Sequence, residues 1–328
     1  IPDDHDVYHG NIWGEGGRHA PSEDGWGAVA QDQGGFKMPP EWVNAVQVAQ
    51  TSHLPDPYDP TPVAQGIGVY YTGWDYGGVS FAILEDRKFK SSPSNVMPPE
   101  AEVLNGWIQN PDFDARDHRD PPGAELLGAR QMEFLEAWAE DWSSSAHMKV
   151  VLSQTNFAAV HSIPQDAMSG AVLPSLPMPQ PGVYVEGDKV AVDMDSNGWP
   201  AAHRDDVLRI LRRCSAFHIA GDQHLATVVR HGIDDFGDAG FSFAGPALNN
   251  IWPRRWWPPR EDRQAPLEHG GPDYTGDFFD GFGNRVTVHA SANPRATGIQ
   301  PALLHDRVTG YGIVTFDKAA ESITIECW

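Results

Sequence analysis

Apolar residues recur at helical spacing in two segments of the chain, and each segment precedes a short apolar run. Residues 204–213 have apolar side chains at 207, 208, 210 and 211. In residues 127–138, positions 127, 131, 134, 135 and 138 lie on or near one helical face, and all but Gln131 are apolar. This spacing predicts two amphipathic helices. The runs 216–220 and 149–152 predict buried strands, and polar residues follow both. The repeated order of helix, strand and polar loop indicates an α/β layered fold.

The rest of the chain is richer in strands than in helices. A proline-initiated helix is predicted over 40–47. Residues 90–122 are polar and proline-rich, which indicates a surface insertion, and no linker divides residues 1–328, so we expect a single domain. Runs with β-branched or aromatic residues, bounded by glycines or polar residues, predict strands at 68–73, 78–84, 227–231, 241–243, 285–289, 312–316 and 322–325.

Charge narrows the possible partners. The formal net charge is −22, so general electrostatics do not favour binding to nucleic acid. No apolar run reaches the length of ~20 residues that a transmembrane helix needs. Two cysteines are too few for a disulfide framework or a thiolate metal site. The 12 tryptophans leave open an alternative function, a noncatalytic or carbohydrate-binding β-rich module with Trp-rich loops.

Gly221-Asp222-Gln223-His224 follows the predicted strand 216–220 directly. The carboxyl ends of strands are where α/β proteins bind ligands, and Asp and His are ligands of Zn, Fe, Mn and Ca. A plain strand-to-loop turn with a capping aspartate explains the same four residues equally well.

A second acidic cluster, Asp3-Asp4-His5-Asp6, lies near the start of the sequence. Three carboxylates around one imidazole repel one another unless a cation offsets their charge. A solvated acidic run is the alternative, but the aromatic and glycine residues that follow favour metal binding.

Two further strand ends carry polar residues. Asn156 follows the strand 149–152 and is a candidate weak metal ligand through its amide oxygen, with a structural role in the loop equally compatible. Asp86-Arg87-Lys88 follows the strand 78–84. These charged residues are typical of a local salt bridge, and they are also compatible with a sheet edge that binds an anion. Arg87 is the candidate substrate-binding residue. The Trp-, Arg- and Pro-rich segment 251–259 suits a substrate rim or a packed loop.

Taken together, these motifs resemble the alkaline phosphatase D (PhoD-like) family of the metallophosphoesterase superfamily. The matching segments are 3–6, Asp86-Arg87, 127–135, 197–200 with Arg204, and 221–224. The resemblance implies a calcineurin-like layered sandwich of two mixed β-sheets flanked by helices. It also implies a metal-dependent phosphoester hydrolase that is exported, acts on a small phosphoester and uses two metal ions, from Ca, Fe, Zn or Mn.

The resemblance assigns roles to particular residues. It implies that Asp4, Asp222 and His224 ligate metal and that His5 donates a proton to the leaving group. The superfamily's first ligands precede the Asp-His element, and this sequence has no counterpart for them. We therefore expect a chain that lacks the N-terminal part of the family, holds about one ion, and hydrolyses phosphoesters poorly by itself.

Overall fold

The computed structural model describes residues 1–8, 10–21, 25, 27–249 and 252–328. The helices are α1 Asp4–Val7, α2 Ala28–Asp32, α3 Pro40–Thr51, α4 Asp86–Phe89, α5 Pro93–Val96, α6 Gly128–Glu140, α7 Ala201–Arg213 and α8 Ala302–His305. The strands are β1 Thr72–Tyr76, β2 Val79–Ile83, β3 Val103–Leu104, β4 Trp107–Ile108, β5 Met148–Leu152, β6 Ser162–Pro164, β7 Asp188–Val190, β8 Phe217–Ala220, β9 Thr227–His231, β10 Phe241–Ala244, β11 Gly276–Phe279, β12 Arg285–Ser291, β13 Gly312–Asp317 and β14 Ser322–Cys327.

Eight of these strands form one mixed sheet in the order β1-β2-β5-β8-β10-β9-β12-β11. The neighbours from β2 through β10 are parallel, and the pairs at both flanks are antiparallel. The parallel strands β2, β5, β8 and β10 therefore end at the same edge of the sheet, and polar loops follow them.

Helices and a β-ribbon cover opposite faces of this sheet. On one face, Val151 of β5 packs in a core cluster with Phe134 of α6 and Leu208 of α7. On the other face, Phe217 of β8 contacts Phe316 of the two-stranded β13–β14 ribbon, with ring centroids 6.1 Å apart. Burial of the apolar side of each element against the sheet stabilises these layers.

The predicted α/β class is confirmed, and so are the helices and strands on which it rested. Two mixed sheets were expected; within the described ranges eight strands form one mixed sheet, and β13–β14 is a separate antiparallel sheet that packs on its second face. The first strand was predicted at 68–73, but β1 begins at Thr72, where pairing with β2 starts. Val69 and Tyr71 precede the strand and pack into the core.

Residues 90–122 contain α5, a 3₁₀ turn and the β3–β4 pair. Met97, Ala101 and Ile108 of this segment share a core cluster with Trp199 and Phe282. The segment thus contributes apolar side chains to the interior, and its polar residues Lys90, Ser91 and Ser92 are buried as well. Among the helices of the described residues, none has both the length and the apolar character needed to cross a bilayer.

Candidate active site

Loops at the carboxyl ends of β2, β5 and β8 lie side by side and are joined by backbone hydrogen bonds beyond the strands. Ser153 N–H donates to the Ile219 carbonyl at 3.2 Å, and Gly221 N–H donates to the Gln154 carbonyl at 3.0 Å. Asp222 then adopts φ +60° and His224 φ +57°, a left-handed conformation that is uncommon for residues other than glycine. The turn directs the Asp222 carboxylate toward the loop after β2.

The N-terminal acidic run forms α1, which brings two carboxylates to this strand edge. Asp3 N–H donates to the Asp6 carboxylate at 2.9 Å, and the Asp3 carboxylate accepts from Asp4 N–H at 2.8 Å. Asp3 is the N-cap of α1 and forms a capping box with Asp6. Its carboxylate also accepts from the Gln154 amide of the loop after β5. These contacts tie α1 to the sheet and leave the Asp4 side chain buried.

Asp3, Asp4 and Asp222 form a group that fits one metal ion. Each offers a carboxylate oxygen, and the three oxygens lie within 4.8 Å of one another. An all-carboxylate set suits a hard divalent cation such as Ca²⁺, Mg²⁺ or Mn²⁺. Asp4 and Asp222 were predicted as ligands; Asp3 was not, although it belongs to the same predicted cluster.

Arg87 lies beside this group and contacts three carboxylates. Its guanidinium donates twice to Asp195, with Nη2–Oδ2 at 3.0 Å, and Nη2 also donates to Asp222. Nη2 lies 3.7 Å from Asp4 Oδ2. The Arg87 side chain is 7% exposed, so most of its donors face these carboxylates. A substrate-binding role for Arg87 stays a prediction; the contacts show that it orders the acidic residues.

Burial and mutual repulsion set the charge of these carboxylates. Burial raises the pKa of Asp222 to about 8; Arg87 acts to lower this pKa, while Asp195 and Asp3 add to the rise. Burial also raises the pKa of Asp4 well above its usual range. Burial acts on Asp195 in the same direction, but Arg87, Lys90 and Arg254 together outweigh it and hold the Asp195 pKa below its usual range. A bound cation favours the ionised form of such groups, so their environment suits cation binding.

Asp86 is adjacent to Arg87 but makes a different set of contacts. Its buried carboxylate accepts from Gln154 N–H at 3.3 Å, from Thr155 N–H at 3.1 Å and from Asn197 Nδ2 at 2.7 Å, and Thr155 Oγ1 donates to it as well. Asp86 therefore fastens the loops after β5 and before α7 to α4. This role is structural, because every contact is to the protein's own donors.

The remaining predicted site residues surround the carboxylates. The His5 side chain is 60% exposed, and its Nε2 lies 4.0 Å from Asp4 Oδ1, a position from which it can reach a ligand in the cleft. His224 is outside the group of three carboxylates, and its Nδ1 lies 2.9 Å from the Trp252 carbonyl oxygen. Asn156 is buried, donates to Gln223 at 3.3 Å and accepts from Ser242 Oγ at 3.2 Å. Metal ligation by His224 and Asn156 stays a prediction.

A cleft of about 660 Å³ has Asp4, His5, Asp222 and His224 in its wall, whereas Asp3, Arg87 and Asn156 are not among the described residues that line it. This volume is in the range typical of sites for organic ligands. Sequence reasoning missed two of the charged residues in its wall, Asp195 and Arg254. Asp195 lies in a loop that no local pattern marks as part of a site. Arg254 lies in the segment 251–259, for which a substrate rim and a packed loop were both predicted, but the sequence did not single out this arginine. The cleft is lined by Asp4, His5, Gly10, Asn11, Ala28, Gln31, Leu104, Asn105, Trp107, Gln109, Ser169, Ala171, Asp195, Asp222, His224, Trp252 and Arg254.

Comparisons with known proteins add little to this description. No family model matches the sequence, and no curated protein matches it. A solved structure of PhoD is similar, with a TM-score of 0.42 and 20% sequence identity over 76% of this chain. The matched region covers 39% of that structure's chain, so this chain spans about two fifths of its length. The similarity is too low to assign a family, and the function must be argued from the residues themselves.

Proposed function

We propose that this protein is a metal-dependent phosphoester hydrolase. The observation that carries the proposal is the group of three carboxylate oxygens within 4.8 Å at the edge of a cleft that also contains an imidazole and a guanidinium. Phosphoryl transfer requires positive charge next to the phosphoryl oxygens and a proton donor near the leaving group. The motif resemblance to the PhoD-like family is consistent with this proposal.

Each residue has a physical role in the proposed reaction. Asp3, Asp4 and Asp222 would hold a divalent cation, which supplies Lewis acidity and a more acidic bound water. Arg87 neutralises part of the carboxylate charge and keeps Asp195 and Asp222 in place. His5 protonates the departing oxygen, since it is the exposed imidazole next to Asp4. His224 and Asn156 remain proposed metal ligands.

The alternative, carbohydrate binding through Trp-rich loops, has less support. Trp256 is fully buried and Trp257 is 8% exposed, so neither offers a ring face for stacking on a sugar. Trp252 is 41% exposed, but it lines the cleft described above. The tryptophans of this loop thus pack the interior or border the proposed active site.

Metal analysis combined with hydrolysis assays tests the proposed function. We expect the purified protein to retain Ca, Mn, Fe or Zn and, with about one ion bound, to cleave bis-p-nitrophenyl phosphate or p-nitrophenyl phosphate slowly. Chelation should abolish the cleavage, and the same metal should restore it. Turnover that survives both chelation and the Asp222→Asn substitution would show that the cleavage comes from another site or a contaminant. Metal-free protein without turnover that binds a neutral polysaccharide would favour the alternative.

A further inference from the structure

Arg254 differs from the other two arginines close to the site, because no described residue pairs with its charge. Arg87 is engaged by three carboxylates. Arg255 forms a two-point pair with Asp188, with Nε–Oδ2 at 2.9 Å and Nη2–Oδ1 at 2.6 Å. Among the described residues, Arg254 forms no ion pair, and its buried Nη1 has no hydrogen-bond acceptor; Arg87 Nε also lacks an acceptor, but the other donors of Arg87 are engaged by carboxylates. A buried guanidinium donor without an acceptor destabilises the folded protein, unless a ligand supplies the acceptor.

The neighbours of Arg254 hold its backbone rigidly. Ser162 N–H donates to the Arg255 carbonyl at 2.7 Å, and Trp257 N–H donates to Ser162 Oγ at 2.8 Å. Trp256 N–H donates to Asn293 Oδ1 at 2.6 Å. The loop is thus fixed to β6 and to the segment after β12. A cation on an anchored segment binds an anion with little loss of conformational entropy.

The guanidinium of Arg254 is also packed in place. A Cβ atom added at Gly170 would lie 3.1 Å from both Arg254 Cζ and Nη1, and 3.4 Å from Trp107 Cζ2. Glycine at 170 therefore allows the guanidinium and the indole to pack close to the backbone. Arg254 and Trp107 both line the cleft, so this packing fixes the cation in the cleft wall.

The charges that face Arg254 are those of the candidate metal centre and its surroundings. Asp193, Asp195 and Asp222 act electrostatically on Arg254, yet none of these three described residues forms an ion pair with Arg254. Asp195 and Asp222 instead form ion pairs with Arg87. A phosphate bound next to Asp222 needs a cation on the side away from the carboxylates, because a carboxylate and a phosphate repel each other. Arg254 supplies positive charge in the cleft wall without being tied to any of these carboxylates.

We propose that Arg254 is the phosphate-binding side chain of the cleft and donates its N–H groups to a nonbridging oxygen of a phosphoester held beside Asp222. The inference deepens the proposed hydrolase function and rests on it. Arg87 then serves to order the carboxylates, and Arg254 serves to bind the substrate. A guanidinium is well suited to this role, since its fork of donors matches the oxygens of a phosphate.

The test measures binding of inorganic phosphate as well as turnover, with Ca²⁺ present. In Arg254→Gln we expect the dissociation constant of phosphate, from calorimetry, to rise about 10- to 100-fold, as the loss of a charged hydrogen bond implies. KM for bis-p-nitrophenyl phosphate should rise with it, and metal content should stay unchanged. The matched control is Arg295→Gln, at an exposed arginine outside the cleft, which should leave both constants unchanged.

A second variant displaces the guanidinium without removing its charge. Gly170→Ala should weaken phosphate binding, because the new methyl group pushes against Cζ and Nη1. Gly73→Ala is its control, since a Cβ there meets its nearest neighbour at 3.7 Å. Equal phosphate affinity in Arg254→Gln and the unmodified protein overturns the inference, as does loss of metal by Arg254→Gln or failure of the unmodified protein to bind phosphate. Arginine-dependent phosphate binding without turnover supports the inference and refutes hydrolysis.

Discussion

Arg87 and Asp195 lie 108 residues apart in the chain, and their side chains form a two-point ion pair, with Nη2–Oδ2 at 3.0 Å. The same guanidinium donates to Asp222. One cation therefore joins the loop after β2, the loop before α7 and the turn after β8. This arrangement brings together carboxylates that would otherwise repel one another.

Asp222→Asn should lower the content of bound divalent metal sharply. The substitution keeps the shape of the side chain and removes one of the three ligand charges. Stability of the metal-free protein should be unchanged or higher, because burial already disfavours the ionised form of Asp222. Elemental analysis and thermal unfolding with and without metal measure both effects. Asp206→Asn, at an exposed residue paired with Arg209, is the control, and equal metal content in the two variants would refute the assignment.

His5→Gln should slow turnover in a way that depends on the leaving group. If His5 protonates the departing oxygen, kcat for an alkyl or phenyl phosphoester should fall about 100-fold, within the usual range for a general acid. The p-nitrophenolate leaving group needs little protonation, so kcat for p-nitrophenyl esters should fall much less. The metal content should not change. A loss of the same size for both kinds of ester would count against proton donation by His5.

Asp86→Ala should destabilise the fold by about 3–5 kcal/mol, because four donors from Thr155, Gln154 and Asn197 lose their buried acceptor. Chemical denaturation measures the change in the free energy of unfolding. Asp166→Ala, at an exposed aspartate, should change it by less than about 0.5 kcal/mol. A cost below about 1 kcal/mol for Asp86→Ala would mean that water replaces the carboxylate.

His218 should make the protein sensitive to acid. It is 1% exposed, lies 2.7 Å from Ser153 Oγ and 2.9 Å from Ser242 Oγ, and burial lowers its pKa to about 3, with Asp86 opposing the shift. In the unfolded chain this residue takes up a proton below the ordinary histidine pKa of 6.5, whereas in the folded chain it does so only near 3. The free energy of unfolding should therefore fall as pH decreases from about 6.5 to about 3.

In His218→Gln, one proton fewer should be taken up on unfolding. The slope of the free energy of unfolding against pH should therefore be smaller by about 1.4 kcal/mol per pH unit at pH 5. Burial also lowers the pKa of His161 and His231, so part of the dependence should remain. The exposed His305→Gln variant is the control. Identical slopes of unfolding free energy against pH for His218→Gln and the unmodified protein would contradict the prediction.

Much of the fold could be predicted from the sequence, because its elements are encoded locally. The apolar spacing in 204–213 and 127–138 corresponds to α7 and α6, and the runs 216–220 and 149–152 correspond to β8 and β5. The position of Asp222 followed from the rule that the loops after parallel strands lie at one edge of the sheet, and a common site for Asp4 and Asp222 was implied by the family resemblance. Periodicity and strand ends are properties of short segments, so a sequence displays them.

The composition of the site depended on tertiary structure. Asp3 is near Asp222, Asp195 pairs with Arg87, and Arg254 reaches the cleft with no acceptor for Nη1 among the described residues. These relationships connect segments separated by 100 residues or more, or, for Arg254, depend on how a proline-rich loop packs against Gly170 and Trp107. Strand order and loop packing decide which charges meet. The sequence alone therefore determined that acidic residues gather at one edge of an α/β sheet, and the tertiary structure decided which arginine neutralises them and which one stays available to an anion.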